Sequence, residues 1–269
     1  MSTPRADRFD RFSAALTVVV FAALLLPLVV VVVMSFNASN SVSWPPSGFS
    51  LQWYAEALDK ARVREAALNT LRLGLTTALA STALGTITGF ALVRYSFRGR
   101  NLTAALVVLP VLVPALLLGL GLVIVLTGLL HLRLSLLTLW VGHVTFTLPF
   151  TTLIVASRAV SLDRRLEDAS RDLGAGWLRT MVQVVLPPLL PAVRAAFLFS
   201  FIISMNEVVL ALFLAGTDQT LPGYMFGEFL RVVTPEIDAI STLMVVLAVA
   251  VLAIENVAAR ALLSRREQS

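Results

Sequence analysis

Six stretches of this chain hold about twenty or more predominantly apolar residues each, long enough for a helix to cross the ~30 Å hydrocarbon core of a bilayer. No other feature constrains the fold as strongly, because a segment inside lipid must satisfy its own backbone hydrogen bonds, as a helix does. The runs cover residues 14–36, 66–93, 102–130, 136–156, 195–215 and 239–259. They predict an all-α membrane protein with six transmembrane helices in one domain over 14–260, flanked by tails at 1–13 and 261–269. Charged residues make up 14% of the chain, whereas soluble domains average about a quarter. The first run follows a basic stretch but is too long for a signal-peptide core, and no small-residue cleavage site sits at a fitting distance. It reads as a retained helix.

Basic residues set the orientation. With the N-terminus in the cytosol, fifteen arginines fall on that side, at 5, 8, 11, 94, 98, 100, 158, 164, 165, 171, 179, 194, 260, 265 and 266. Five basic residues fall outside: Lys60, Arg62, Arg64, Arg133 and Arg231. Arg72, near the start of the second run, can snorkel outward. The excess predicts both termini inside, and with them the polar segment 158–194 between the fourth and fifth runs. The net charge of +5 is thus a matter of sidedness, and its spread over several loops argues against nucleic acid.

The chain has no cysteine, and its two histidines, His131 and His143, lie in no metal-binding spacing. It also has no GxxxxGK[ST] phosphate loop. No catalytic, metal or cofactor site is expected. Outside, Leu51–Leu58 with Trp53 and Tyr54 suits an amphipathic piece at the interface, and LPGYMFGEFL, from Leu221, suits a short surface helix. Gly85 and Gly89 form a small-residue pair that fits either packing within the subunit or a subunit interface.

The 158–194 segment is where a chain this apolar spends its polar residues. Leu162, Leu166, Ala169 and Leu173 form a helical stripe, which glycines at 174 and 176 can end or bend. Trp177 to Val185 predicts a second short helix, stopped by Pro187 and Pro188. Two short helices joined at glycines make a protrusion with a small-residue tip, suited to a partner's groove.

From Asp168-Ala169-Ser170 the pattern continues through three residues, Gly174, nine residues, Val184, one residue and Leu186-Pro187. It resembles the EAA loop of permease subunits of binding-protein-dependent ABC importers, which reads Glu-Ala-Ala, three residues, Gly, nine residues, Ile, one residue, Leu-Pro. Asp, Ser and Val stand for Glu, the second Ala and Ile. ALNTLRLGL, GHVTFTLPF, SFIISMNEVVLALFLAG and TLPGYMFGEF extend the likeness over nearly the whole chain. It is greatest to the spermidine/putrescine subfamily, of MetI-like fold.

The resemblance implies a bacterial inner-membrane subunit paired with a second, paralogous permease over two ATP-binding cassette subunits. An extracytoplasmic solute-binding protein would feed it, and ATP and Mg would be bound by the partner ATPase. On that reading Asp168, Ala169 and Ser170 mark the coupling helix and Gly174 its tight turn. Glu167, Arg171 and Asp172 are polar contacts to the ATPase, and Pro187 sets the return angle into the fifth helix.

Asn206 and Glu207 fall within the fifth run, roughly 18 Å from Arg194 at helical rise. A carboxylate there belongs in the bundle interior, where it could meet a cationic solute. His143 lies at a similar depth and could meet Glu207, and Phe199 and Phe213 offer cation–π faces. The competing readings are an ion-gradient-driven secondary transporter using Glu207 and His143 as a relay, and a membrane scaffold. The first predicts internal repeats, which the chain lacks, and the second has no use for Glu207.

Overall fold

In the computed structural model, which describes residues 4–40, 44–231 and 234–266, the apolar runs are helices. These are α1 (Pro4–Met34), α2 (Gln52–Asp59), α3 (Ala61–Arg94), α4 (Arg100–Leu112), α5 (Ala115–Val123) and α6 (Leu136–Val160). They continue with α7 (Arg165–Asp172), α8 (Trp177–Thr180), α9 (Leu186–Asn206), α10 (Val209–Leu214), α11 (Leu221–Phe229) and α12 (Pro235–Arg266). Five spans among the described residues are long and apolar enough to cross a membrane, and α4 with the α5 stretch makes a sixth if that bent pair is one span.

The chain packs into two compact units. In the first, formed by residues 1–61 and 227–269, α12 packs against α1 and α2. Here the interfacial piece foreseen at Leu51–Leu58 is α2, but it turns Trp53 inward: the indole donates to the Asn37 carbonyl at 2.7 Å. Tyr54 bonds Ser35 at 2.6 Å. Asn37 holds the preceding turn by accepting from the Ser47 amide at 3.0 Å. Lys60 pairs with Glu236 near the start of α12.

The second unit, residues 62–226, is built on α6 and α9, with α3 and α5 against them. Gly85 and Gly89 of α3 let its backbone reach α6: a Cβ at Gly85 would collide with Thr151, and one at Gly89 would lie 2.6 Å from the Thr152 carbonyl. Both glycines are therefore used for packing within the subunit. Hydroxyls line the same seam. Ser81 bonds Thr147 at 2.6 Å, and Thr151 donates to the Ser81 carbonyl at 2.8 Å.

Several boundaries depart from the sequence-based expectation, each for a local reason. The second span begins at Ala61, a turn before residue 66. The third, expected as one helix over 102–130, bends by 109° between α4 and α5. Pro114 lacks an N–H and forces Val113 into extended backbone, with φ −95° and ψ 128°. Beyond α5 the helix widens into a π-turn at Ile124–Leu129.

The fifth span starts at Trp177, well before Ala195. Pro187 and Pro188 do not stop the helix from Trp177, because they occupy the first turn of α9, where a missing N–H costs nothing, and a π-turn at Met181–Val185 leads into them. The same span, expected unbroken to 215, opens at Glu207, whose ψ is 112°. The sixth begins at Pro235 instead of 239.

Candidate functional site

The segment between α6 and α9 is a helical hairpin whose geometry follows from its residues. The Asp163 carboxylate accepts the Arg165 amide at 2.9 Å and starts α7. At the other end Gly174 adopts φ +82°, a conformation open to glycine at little cost. Its N–H reaches the Arg171 carbonyl at 2.8 Å, and the next amide, Ala175, reaches Ser170 at 3.1 Å. This pair of bonds is a Schellman cap, which satisfies carbonyls that the ended helix would otherwise leave open. Ser170 bonds Thr180 at 3.1 Å and ties α7 to α8.

The hairpin's outer surface carries Asp168, Ala169, Arg171, Asp172 and Gly174, all exposed. Among them stand bare apolar side chains: Leu173 is 89% exposed, and Leu166, Trp177 and Leu178 are also exposed. A mixed charged and apolar tip on a rigid turn has the composition of a protein-docking surface. Pro187 is half-buried at the start of α9, and Arg158 donates to the neighbouring Pro188 carbonyl at 3.1 Å. Glu167 departs from its expected position on this surface. It is buried and paired with Arg94 of α3 at 3.0 Å, because its place on α7 turns it inward.

The residues expected along a solute pathway are not brought into one cluster. His143 is buried in α6, and its Nδ1 lies 2.7 Å from the Ser204 hydroxyl of α9, so Ser204 is the partner where Glu207 was foreseen. Its Nε2 has no hydrogen-bond partner among the described residues. Glu207 sits at the break between α9 and α10, where Oε1 accepts the amides of Val209 at 2.8 Å and Leu210 at 3.2 Å. Its side chain thereby caps the first turn of α10.

Asn206 is exposed and donates to the Ile202 carbonyl at 2.8 Å. Phe199 packs on Phe150, ring centroids 5.3 Å apart, whereas Phe213 packs against Gly119 and the core around Leu210 and Leu214. Sequence reasoning missed Ser204, Ser81, Thr147, Thr151 and Arg94. A signal was present: His143, Thr147 and Thr151 recur every four residues, as do Ser200 and Ser204, which places each set on one helix face. Among the described residues no three His, Cys, Asp or Glu side chains gather as a metal site.

Membrane-length helices, two of them joined by a capped hairpin that exposes charged and apolar side chains, define a multi-span membrane subunit. Residues 81–268 match the family described as the inner membrane component of binding-protein-dependent transport systems, and the chain belongs to that family, the permease subunits of ABC importers of the bacterial inner membrane. It is similar to the spermidine/putrescine transport system permease protein PotC of Haemophilus influenzae, 32% identical over 244 residues that cover 90% of this chain and 94% of that one. It is also similar to the putrescine transport system permease protein PotI of Escherichia coli K12, 35% identical over 231 residues, covering 83% and 82%.

Among solved structures, a bacterial ABC transporter that imports the acidic polysaccharide alginate superposes with a TM-score of 0.72 at 17% identity, over 95% of this chain and 98% of that one. The inward-facing MetNI methionine transporter superposes with a TM-score of 0.63 at 17% identity, over 73% and 94%. At these identities the likeness is one of fold.

Proposed function

We propose that this permease subunit imports a polyamine, spermidine or putrescine, and that the 158–194 hairpin couples it to a partner ATPase. The polyamine reading is supported by the relatives' names at 32% and 35% identity over most of the chain. The coupling reading is carried by one observation: the hairpin ends in a rigid, glycine-capped turn with Leu173 and Trp177 bare to solvent beside Asp168, Arg171 and Asp172. Large apolar side chains held out by a fixed turn are costly unless a groove receives them.

In this reading both termini and the hairpin face the cytosol, in line with the arginine distribution. Two ATP-binding cassette subunits bind ATP and Mg and receive the turn. A second permease, a paralogue, completes the pathway, and an extracytoplasmic binding protein delivers solute. Ala169 and Ser170 keep the hairpin slim. Pro187, in the first turn of α9, fixes the angle at which the helix leaves the π-turn.

Along the pathway of this reading Glu207 meets the cation, and Asn206, His143, Phe199 and Phe213 stand at separate points on α6, α9 and α10 rather than in one site with it. An ion-driven relay gains no support, since His143 bonds Ser204 and Glu207 is engaged with backbone amides.

The test is uptake of radiolabelled spermidine into proteoliposomes holding the assembled complex and its binding protein. ATP-dependent uptake that unlabelled putrescine or spermidine competes away supports the reading. ATP-dependent uptake of another solute class alone rejects the polyamine assignment. Uptake driven by an ion gradient without ATP rejects the coupling.

A further inference from the structure

The hairpin is fastened to α3 as well as to the helices it joins. Arg94, the last residue of α3, lies 3.0 Å through Nε from Glu167 Oε1, and the two side chains are only 6% and 11% exposed. The same guanidinium donates Nη2 to the Leu162 carbonyl at 2.9 Å and lies 5.9 Å from the centre of the Phe90 ring. In return Arg164, just before α7, donates Nη2 to the carbonyls of Val93 and Arg94 at 3.1 and 3.2 Å. Each element thus supplies an arginine that grips the other's backbone, and a buried charge pair lies between them, its Nε and Oε1 in contact without a hydrogen bond.

The chain path alone would carry a push on the hairpin to α6 and α9, its covalent neighbours. At this end α3 has no covalent link to the hairpin. A buried charge pair is a poor choice for stability alone, because desolvation offsets much of its attraction. Relative rotation is resisted by that attraction together with the three directional arginine–carbonyl bonds.

We propose that Arg94, Glu167 and Arg164 form a reciprocal clamp that makes α3 move with the coupling hairpin, so that displacement of the turn at Leu173–Trp177 reaches three helices at once. The clamp rests on the coupling reading above. Its members are positioning residues: they hold the hairpin and α3 in fixed relation.

The test uses the assembled importer in proteoliposomes and reads solute taken up per ATP hydrolysed. Glu167→Gln and Arg94→Gln are each expected to lower that ratio about tenfold with the ATPase subunits still bound, and the double variant is expected to lose no more than either single one, because both changes break the same pair. An unchanged ratio, or losses that multiply in the double variant, would overturn the clamp. Arg164→Gln leaves no buried charge unpaired. It is expected to lower the ratio without moving the melting temperature, and it decides the matter if the buried variants fail to assemble.

Leu173→Cys, introduced into this cysteine-free chain, separates the two readings by cross-linking to the ATPase. No cross-link overturns the coupling reading and the clamp with it. A cross-link together with an unchanged ratio for Glu167→Gln and Arg164→Gln overturns the clamp alone.

Discussion

Ser204 and His143 meet in the buried seam between α6 and α9, and their single 2.7 Å hydrogen bond accounts for a side chain that would otherwise bury its whole imidazole unpaired. Ser204→Ala should lower unfolding stability by about 1–3 kcal/mol, the cost of stranding a buried polar group, and Ser204→Thr should restore part of it. A thermal melt of the detergent-purified chain checks both. Glu207 permits a cleaner separation of roles, since its Oε1 accepts two amides that a glutamine oxygen can also accept. Glu207→Gln should leave the melting temperature nearly unchanged and raise the apparent KM for a polyamine by roughly tenfold, the scale of one nearby charge on a cation at intermediate dielectric. A fall in stability with an unchanged KM would assign Glu207 to capping only. Gly174→Ala forces a side chain into φ +82° and should cost about 1–2 kcal/mol locally, read as faster amide exchange across α7 and α8.

Helices show how far the sequence could be read. Each apolar run is helical over most of its length, because length and hydropathy act over twenty residues, but two of the six are broken within the run. Breaks depend on one or two residues and their neighbours. Pro114 sits mid-run and opens α4 from α5, whereas Pro187 and Pro188 were expected to end a helix and instead lie within the continuous Trp177–Asn206 span, directly after a π-turn. The opening at Glu207 has no proline to announce it; there a carboxylate turns back onto amides of the next helix. The hairpin was legible in outline, with its turn at Gly174. The inward turn of Glu167 was hidden, since its partner Arg94 lies seventy-three residues earlier in the chain. The tight α3–α6 seam carries its own prediction. Gly85→Val should overpack Thr151 and cost about 1–3 kcal/mol, and adding Thr151→Ala should recover part of the loss in a thermal melt.

The whole molecule is a permease, and on the proposed reading its described features divide between holding its helices together and presenting one surface to a partner. The buried hydroxyl seam of Ser81, Thr147 and Thr151 and the glycines at 85 and 89 serve the first. On the proposed reading the capped hairpin serves the second, and the contacts of Arg94, Glu167 and Arg164 join it to α3. In this account solute choice is shared with the binding protein, and the chain's own central task is to receive work through the hairpin. The most direct measurement is co-purification from mildly solubilised native membranes, comparing the wild-type chain with Gly174→Arg. The account predicts that the wild type brings down a second permease and an ATP-binding subunit, and that the variant keeps the permease and loses the ATPase. Retention of the ATPase by the variant would contradict the hairpin as the coupling element.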